Sequence, residues 1–302
     1  MGARIHKRTE FESGGIVPVF LEELALSVAR CEELSAANDP QHGHEHPCHK
    51  IVRSQDSHAG PFQVPEAWAG NLARAQVVFL SSNPAISAGN PDAKWLSKRF
   101  AEKYPTTEWP DTEIADFMIN RFSPEHVWVS DGRHRKVDES QEMGGPLWGS
   151  KEPYWRWIEK QTNALLGNDI PWYERSVMTE VVHCKSANEQ GVPEAAQLCS
   201  SKHMERILEA TPAGLVVVVG GKAAAALRSA YPTAFLDKPM FGKRGSSDSP
   251  DPKQNIFELE IGGHSRLVCF IKHPSAFGGS AHLTSTYTEV FHLLQEAASR
   301  ST

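Results

Sequence analysis

The sequence predicts an α/β fold with a mostly parallel sheet, and three observations carry that prediction. Short apolar runs rich in β-branched and aromatic residues alternate with longer segments of helical character. The runs Val77–Ser81 and Cys269–Ile271 each lead within two residues into a polar side chain and then a proline, in Asn83-Pro84 and His273-Pro274, so the chain must leave the strand there. Leu215-Val216-Val217-Val218-Val219 is apolar at every position, as expected of a strand covered on both faces.

The elements follow in order. Residues 17 to 37 read as a helix with Phe20, Leu21, Leu24, Leu26 and Val28 apolar. The loop from Asp39 to Gly60 holds His42, His44, His46, Cys48 and His49; alternate histidines do not match a common zinc spacing, and a solvated loop is the expectation. Residues 76 to 82 form the first strand. From Gly89 to Gly149 the chain is polar and rich in Trp, Asp and Pro, with helical pieces near 92–103 and 112–121, and reads as an insertion. A helix is expected over Pro153–Leu166 and a second strand over Ser176–Cys184. Pro193 opens a helix to about Ala210, since proline suits the first helical position. Gly220-Gly221 turns the strand Leu215–Val219 into a helix ending near Ala230. Ile256–Ile261 and Arg266–Lys272 form a hairpin across Gly262-Gly263, and a helix over Thr284–Ala298 closes the chain. Residues 1–75 are expected to pack a helix and the His-rich loop on a single domain spanning 76–302.

Composition narrows the function. The 302 residues carry a formal net charge of −6, with 40% hydrophobic and 23% charged residues. A protein that holds nucleic acid mainly by phosphate neutralisation is usually basic, so any such contact must be local. The basic clusters are Arg133-His134-Arg135-Lys136 and Lys238 with Lys243 and Arg244. No run approaches the roughly 18 apolar residues of a membrane span, and the N-terminus lacks a signal-peptide core, so a cytoplasmic protein is expected. Five scattered cysteines argue against a secreted disulfide framework and leave free thiols or a metal site.

Four segments, in order, resemble the uracil-DNA glycosylase superfamily. Ser81-Ser82-Asn83-Pro84-Ala85 is similar to its first motif, in the Asn-Pro form of the mismatch-specific and single-strand-selective branches. Thr179–Lys185 with Pro193 and Cys199 resembles a stretch of families 4 and 5, as does the strand-to-helix turn Pro212–Ala223. His273-Pro274-Ser275-Ala276 is similar to the His-Pro-Ser second motif. The resemblance covers roughly 76–299, leaving the 89–149 insertion unmatched. It implies a three-layer α/β/α fold around a central, mostly parallel four-stranded sheet. It also implies a monomeric enzyme that flips uracil out of DNA and hydrolyses its N-glycosidic bond.

Under that resemblance Asn83 orients the attacking water and His273 stabilises the departing base, while the plain reading of Asn83 is a turn cap before Pro84. Ser82, Pro84, Ala85 and Glu180 would line the base, and Trp148 would stack on it. Pro274, Ser275, Ala276 and Phe277 would enter the duplex, with Lys243 and Arg244 on its backbone. Glu180 stands where families 4 and 5 carry asparagine; a carboxylate accepts from N3–H but donates to O4 only when protonated. This opens deaminated purines (hypoxanthine, xanthine) or a non-cleaving damage binder as alternatives. The chemistry itself requires no cofactor. Cys184 and Cys199 match the spacing of two iron–sulfur ligands, and Cys31 and Cys48 would have to supply the rest of a structural [4Fe–4S] cluster; the other reading is four small buried hydrophobes.

Overall fold

The computed structural model describes residues 16–55, 62–85, 104–124, 126, 129–130, 133–134, 152–235, 255–274 and 281–300. Helices are α1 (Ile16–Ala29), α2 (Glu33–Ala37), α3 (His49–Arg53), α4 (Asp111–Asn120), α5 (Pro153–Leu166), α6 (Trp172–Arg175), α7 (Val192–Cys199), α8 (Glu205–Glu209), α9 (Gly221–Ala230), α10 (Leu283–Thr286) and α11 (Phe291–Ser299). Strands are β1 (Ala69–Gly70), β2 (Val77–Ser81), β3 (Val129–Ser130), β4 (Arg133–His134), β5 (Ser176–Glu180), β6 (Leu215–Val219), β7 (Ile256–Ile261) and β8 (His264–Ile271). Among the described residues, no helix is long and apolar enough to cross a membrane.

The main sheet has six strands in the order β1-β5-β2-β6-β8-β7. The four inner strands run parallel to one another, while β1 and β7 close the edges antiparallel. This corrects the expected four-stranded, mostly parallel sheet to a mixed six-stranded one. The sequence showed the β7–β8 hairpin, but the two residues of β1 carry no β-branched run to announce a strand.

Side chains alternate along each inner strand. Val78, Leu80, Val216, Val218, Val268 and Phe270 enter one apolar cluster with residues of α1, α3, α4, α7 and α9. Val77, Phe79, Val217, Val219, Cys269 and Ile271 enter a second with residues of α5, α6 and α11. Both faces of the sheet are therefore apolar and covered, which is why the inner strands read as unbroken hydrophobic runs.

Several boundaries differ from expectation. The 17–37 helix breaks into α1 and α2. The second strand ends at Glu180 rather than Cys184. The helix from Pro193 is interrupted by a wide π turn over Ser200–Met204 between α7 and α8, and the final helix is split into α10 and α11. The π turn adds a residue to the helical register; Cys199 just before it and His203 within it line one hollow.

One polar group braces the hairpin from inside. The guanidinium of Arg266, 1% exposed, donates to the carbonyls of Ile261, Ala213, Leu208 and Thr211 at 2.7–3.1 Å. It ties β8 to the chain between α8 and β6 and satisfies carbonyls that would otherwise be buried unpaired.

Candidate active site and a thiol-lined hollow

Asn83 and His273 come to the same end of the sheet. β2 and β8 lie on either side of β6 and run parallel with it. The strand ends Ser81 and Ile271 therefore stand about 10 Å apart, two strand spacings, with Asn83 and His273 two residues beyond them. In an open parallel sheet this carboxyl end is where ligands bind.

Pro84 ends β2, but the loop it begins stays attached to the chain after β5. Ser81 and Ser82 accept at their carbonyls from the N–H groups of Val181 and Val182, and Ser186 N–H donates to Pro84 O. The Asn83 side chain donates through Nδ2 to Pro84 O at 2.9 Å and to Ser186 Oγ at 3.0 Å. The amide nitrogen is thus committed to the loop, and Oδ1 remains as the acceptor.

His273 packs over Gly220. That glycine has φ +87°, a conformation an L residue rarely adopts, and a Cβ there would sit 3.5 Å from the Cβ of His273. The imidazole stacks on the ring of Tyr154 from α5, centroids 5.5 Å apart and planes 15° apart, and Tyr154 stacks in turn on Trp157. Burial lowers the pKa of His273, with Glu189 opposing, so the ring is favoured in its neutral form. Trp157 Nε1 donates to Ala281 O at 2.8 Å and Leu283 N–H donates to Gln161 Oε1 at 2.8 Å, tying the chain at 281–283 to α5.

The groups around these strand ends are polar. Ser82 Oγ donates to Glu189 at 2.6 Å, and Lys222 at the start of α9 pairs with the same carboxylate at 2.7 Å. Burial raises the pKa of Glu189, but Lys222 and Ser82 outweigh it and hold the carboxyl below its usual range. Asn188 and Glu189 both adopt left-handed backbone (φ 53° and 57°), a strain that tends to collect at functional sites.

Glu180 is the last residue of β5 and the register partner of Ser81. Both therefore face the side of the sheet that carries Tyr154, whose hydroxyl hydrogen-bonds to Ser81. Glu180 is 6% exposed, and its Oε2 has no hydrogen-bond partner among the described residues. Burial first, then the charge of Glu66, push its pKa well up, with Lys185 and Arg121 opposing.

Beside it lies a buried triad. Glu66 pairs with Arg121 at 2.6 Å and with Lys185 at 2.7 Å. Lys185 also donates to Ala85 O at 3.1 Å and sits 3.8 Å from the centroid of Tyr104. The triad therefore braces the first-motif loop from beneath.

The four cysteines converge elsewhere. Cys31 follows α1, Cys48 precedes α3, Cys184 follows β5 and Cys199 ends α7, yet all four line one hollow with Glu33, His183, Lys202 and His203. His183 N–H donates to Cys199 Sγ at 3.3 Å, and His203 Nε2 lies 3.3 Å from Cys31 Sγ. Burial pushes all four thiols up, Cys48 to about 11 and Cys199 to about 12. Among the described residues no group of three or more His, Cys, Asp or Glu is placed to hold a metal ion. A single zinc needs four ligands drawn to about 2.0–2.3 Å of one point, whereas an iron–sulfur cluster takes one thiolate on each iron and spreads them wider. Four thiols are the donor type a cluster takes, but the hollow is only about 10 Å³, so loading one would require the thiols to part.

Of the residues singled out from the sequence, Asn83, His273, Ser82, Pro84, Ala85, Glu180 and Pro274 stand at this end of the sheet. Trp148, Ser275, Ala276, Phe277, Lys243 and Arg244 lie outside the described residues, as do Lys238, Arg135 and Lys136. Arg133 and His134 form β4 of a small hairpin. In the His-rich loop, His46 pairs with Glu33 and His49 bonds to Ala37 O. Sequence reasoning missed Tyr154, Ser186, Glu189 and the Glu66 triad. Tyr154 was within reach as an aromatic in the first turn of a well-marked helix; Glu66 has no local pattern to betray it. No protein-family model matches the chain, and no curated protein does.

Proposed function

We propose that this chain is a monomeric DNA glycosylase that flips uracil out of DNA and hydrolyses its N-glycosidic bond, within a three-layer α/β/α domain over 76–302 that carries an insertion at about 89–149. The observation that carries the reading is the arrival of Asn83 and His273 at one end of a parallel sheet, on strands either side of β6. An acceptor amide oxygen on one side can hold a water, and a neutral imidazole on the other can donate to the base oxygen as it gains charge.

The assay uses oligonucleotides carrying a single uracil, hypoxanthine or xanthine, with alkaline cleavage of the abasic product. Product from uracil supports the proposal. Product only from a purine supports the deaminated-purine alternative, and binding without product supports a non-cleaving damage binder. His273→Ala should raise the barrier by about 2–4 kcal/mol, roughly 30- to 1000-fold in kcat, as for loss of one donor to a developing anion. A kcat within about threefold of wild type would remove His273 from that role.

We further propose that Cys31, Cys48, Cys184 and Cys199 hold a structural [4Fe–4S] cluster. Bound there, it would cross-link the N-terminal helices to the segments following β5 and α7, away from the bond-breaking groups. Protein purified without oxygen should be brown and contain about four irons per chain, with both lost in Cys184→Ser. Colourless anaerobic protein without iron refutes it.

A further inference from the structure

We propose that Glu180 reads the substrate base as a neutral carboxylic acid, its carbonyl oxygen accepting from a ring N–H and its hydroxyl donating to the adjacent ring carbonyl. This rests on the glycosylase reading above and deepens it by naming the base class: bases presenting a lactam edge, N3–H with O4 in uracil or N1–H with O6 in hypoxanthine and xanthine.

Three observations carry it. Glu180 ends β5 at the carboxyl edge of the parallel strands, in register with Ser81 and one position short of the segment that pairs with the Asn83 loop. Its side chain lies on the sheet face where Ser81 meets Tyr154 and Tyr154 stacks on His273. Its Oε2 is buried with no hydrogen-bond partner among the described residues. Buried polar atoms are rarely left so, and one that stands at a ligand-binding edge calls for a partner from the ligand.

The surrounding charges decide the protonation state. Glu66, from the chain before β1, presents a like charge; Lys185 after β5 and Arg121 at the end of α4 oppose it, but both are already engaged by Glu66. Tyr154 of α5 is held in its neutral form by burial. With both cations committed to Glu66, burial favours the acid over the carboxylate at Glu180. An ionised Glu180 could only accept, and would repel the base carbonyl. A group with its folded pKa raised stays protonated below that pKa and loses its donor above it, so recognition weakens on the alkaline side.

The test compares wild type with Glu180→Gln, which fixes one donor and one acceptor at every pH, and Glu180→Ala, which has neither. The probe is a single-stranded oligonucleotide with one uracil, and kcat/KM is followed across pH 6–10. An infrared difference spectrum between wild type and Glu180→Gln at neutral pH reports the protonated carboxyl directly. The expected results are a protonated-carboxyl band in wild type, Glu180→Gln activity within about tenfold of wild type, and a loss of about a hundredfold in Glu180→Ala, near the size of two lost hydrogen bonds. Wild type should also decline at alkaline pH relative to Glu180→Gln. Absence of the band, or a Glu180→Gln protein that is folded and as inactive as Glu180→Ala, overturns the proposal while uracil excision by wild type leaves the glycosylase reading standing. No product from wild type with any lactam base removes both together.

Discussion

Asn83→Ala is expected to lower uracil excision by about 10²- to 10⁴-fold, the range for a positioned group that handles the nucleophile, while DNA binding is retained. The reason lies in how the amide is held. Nδ2 is committed to Pro84 O and Ser186 Oγ, so the rotamer is set and Oδ1 is the atom available to a water. Alanine removes that acceptor and the two tethers but leaves β2, Pro84 and the backbone bridge between Ala85 and Ser186 in place. Ser186→Ala makes a useful companion: it deletes one tether without touching the acceptor, so a much smaller effect is expected. Single-turnover excision and gel-shift binding on the same uracil oligonucleotide measure both quantities. Unchanged turnover in Asn83→Ala would take Asn83 out of the mechanism.

Glu66→Ala is expected to destabilise the fold by about 3–5 kcal/mol, because it strands two buried cations. Arg121 and Lys185 side chains are 4% and 2% exposed, and neither can reach water without opening the packing around Tyr104, Phe117 and Trp155. Urea unfolding of the variant against wild type gives the number, and a change below about 1 kcal/mol would show that the cations find other partners. The same group predicts an acid limb. Burial alone would raise the pKa of Glu66, but Arg121 and Lys185 pull it down to about 2 from an ordinary value of 4.5. A depressed carboxylate contributes its stability above the unfolded pKa and loses it as pH falls towards the folded one. Wild-type stability should therefore decline between roughly pH 4.5 and 2, and the portion due to Glu66 should be missing in Glu66→Gln.

Much of the site was legible as local pattern. Val77–Ser81, Leu215–Val219 and the β7–β8 hairpin were readable because β-branched runs and a Gly-Gly turn act over a few residues. The stops at Asn83-Pro84 and His273-Pro274 were readable because proline cannot continue a strand. The helix α5 was bounded correctly at both ends, by Pro153 at its start and Gly167 after its end. Where reading failed, the cause was packing at a distance. Strand β1 exists because β5 offers it an edge, not because Ala69-Gly70 favours extension. The Val181–Lys185 run looks like strand, but beyond Glu180 it leaves the ladder to hold the Asn83 loop and to bring Cys184 and Lys185 to two different clusters.

By itself, the chain determined the cores of β2, β5, β6, β7 and β8, the helices α4, α5 and α9, and the polar residues that follow β2 and β8, since turn chemistry and side-chain periodicity are short-range. Tertiary structure alone decided that Cys31 and Cys48 meet Cys184 and Cys199, that Tyr154 lies against His273, and that Glu66 takes both Arg121 and Lys185, with no ion pair to Glu180 among the described residues. Those outcomes depend on burial and on which charges share a low-dielectric interior, and neither is a property of any one segment.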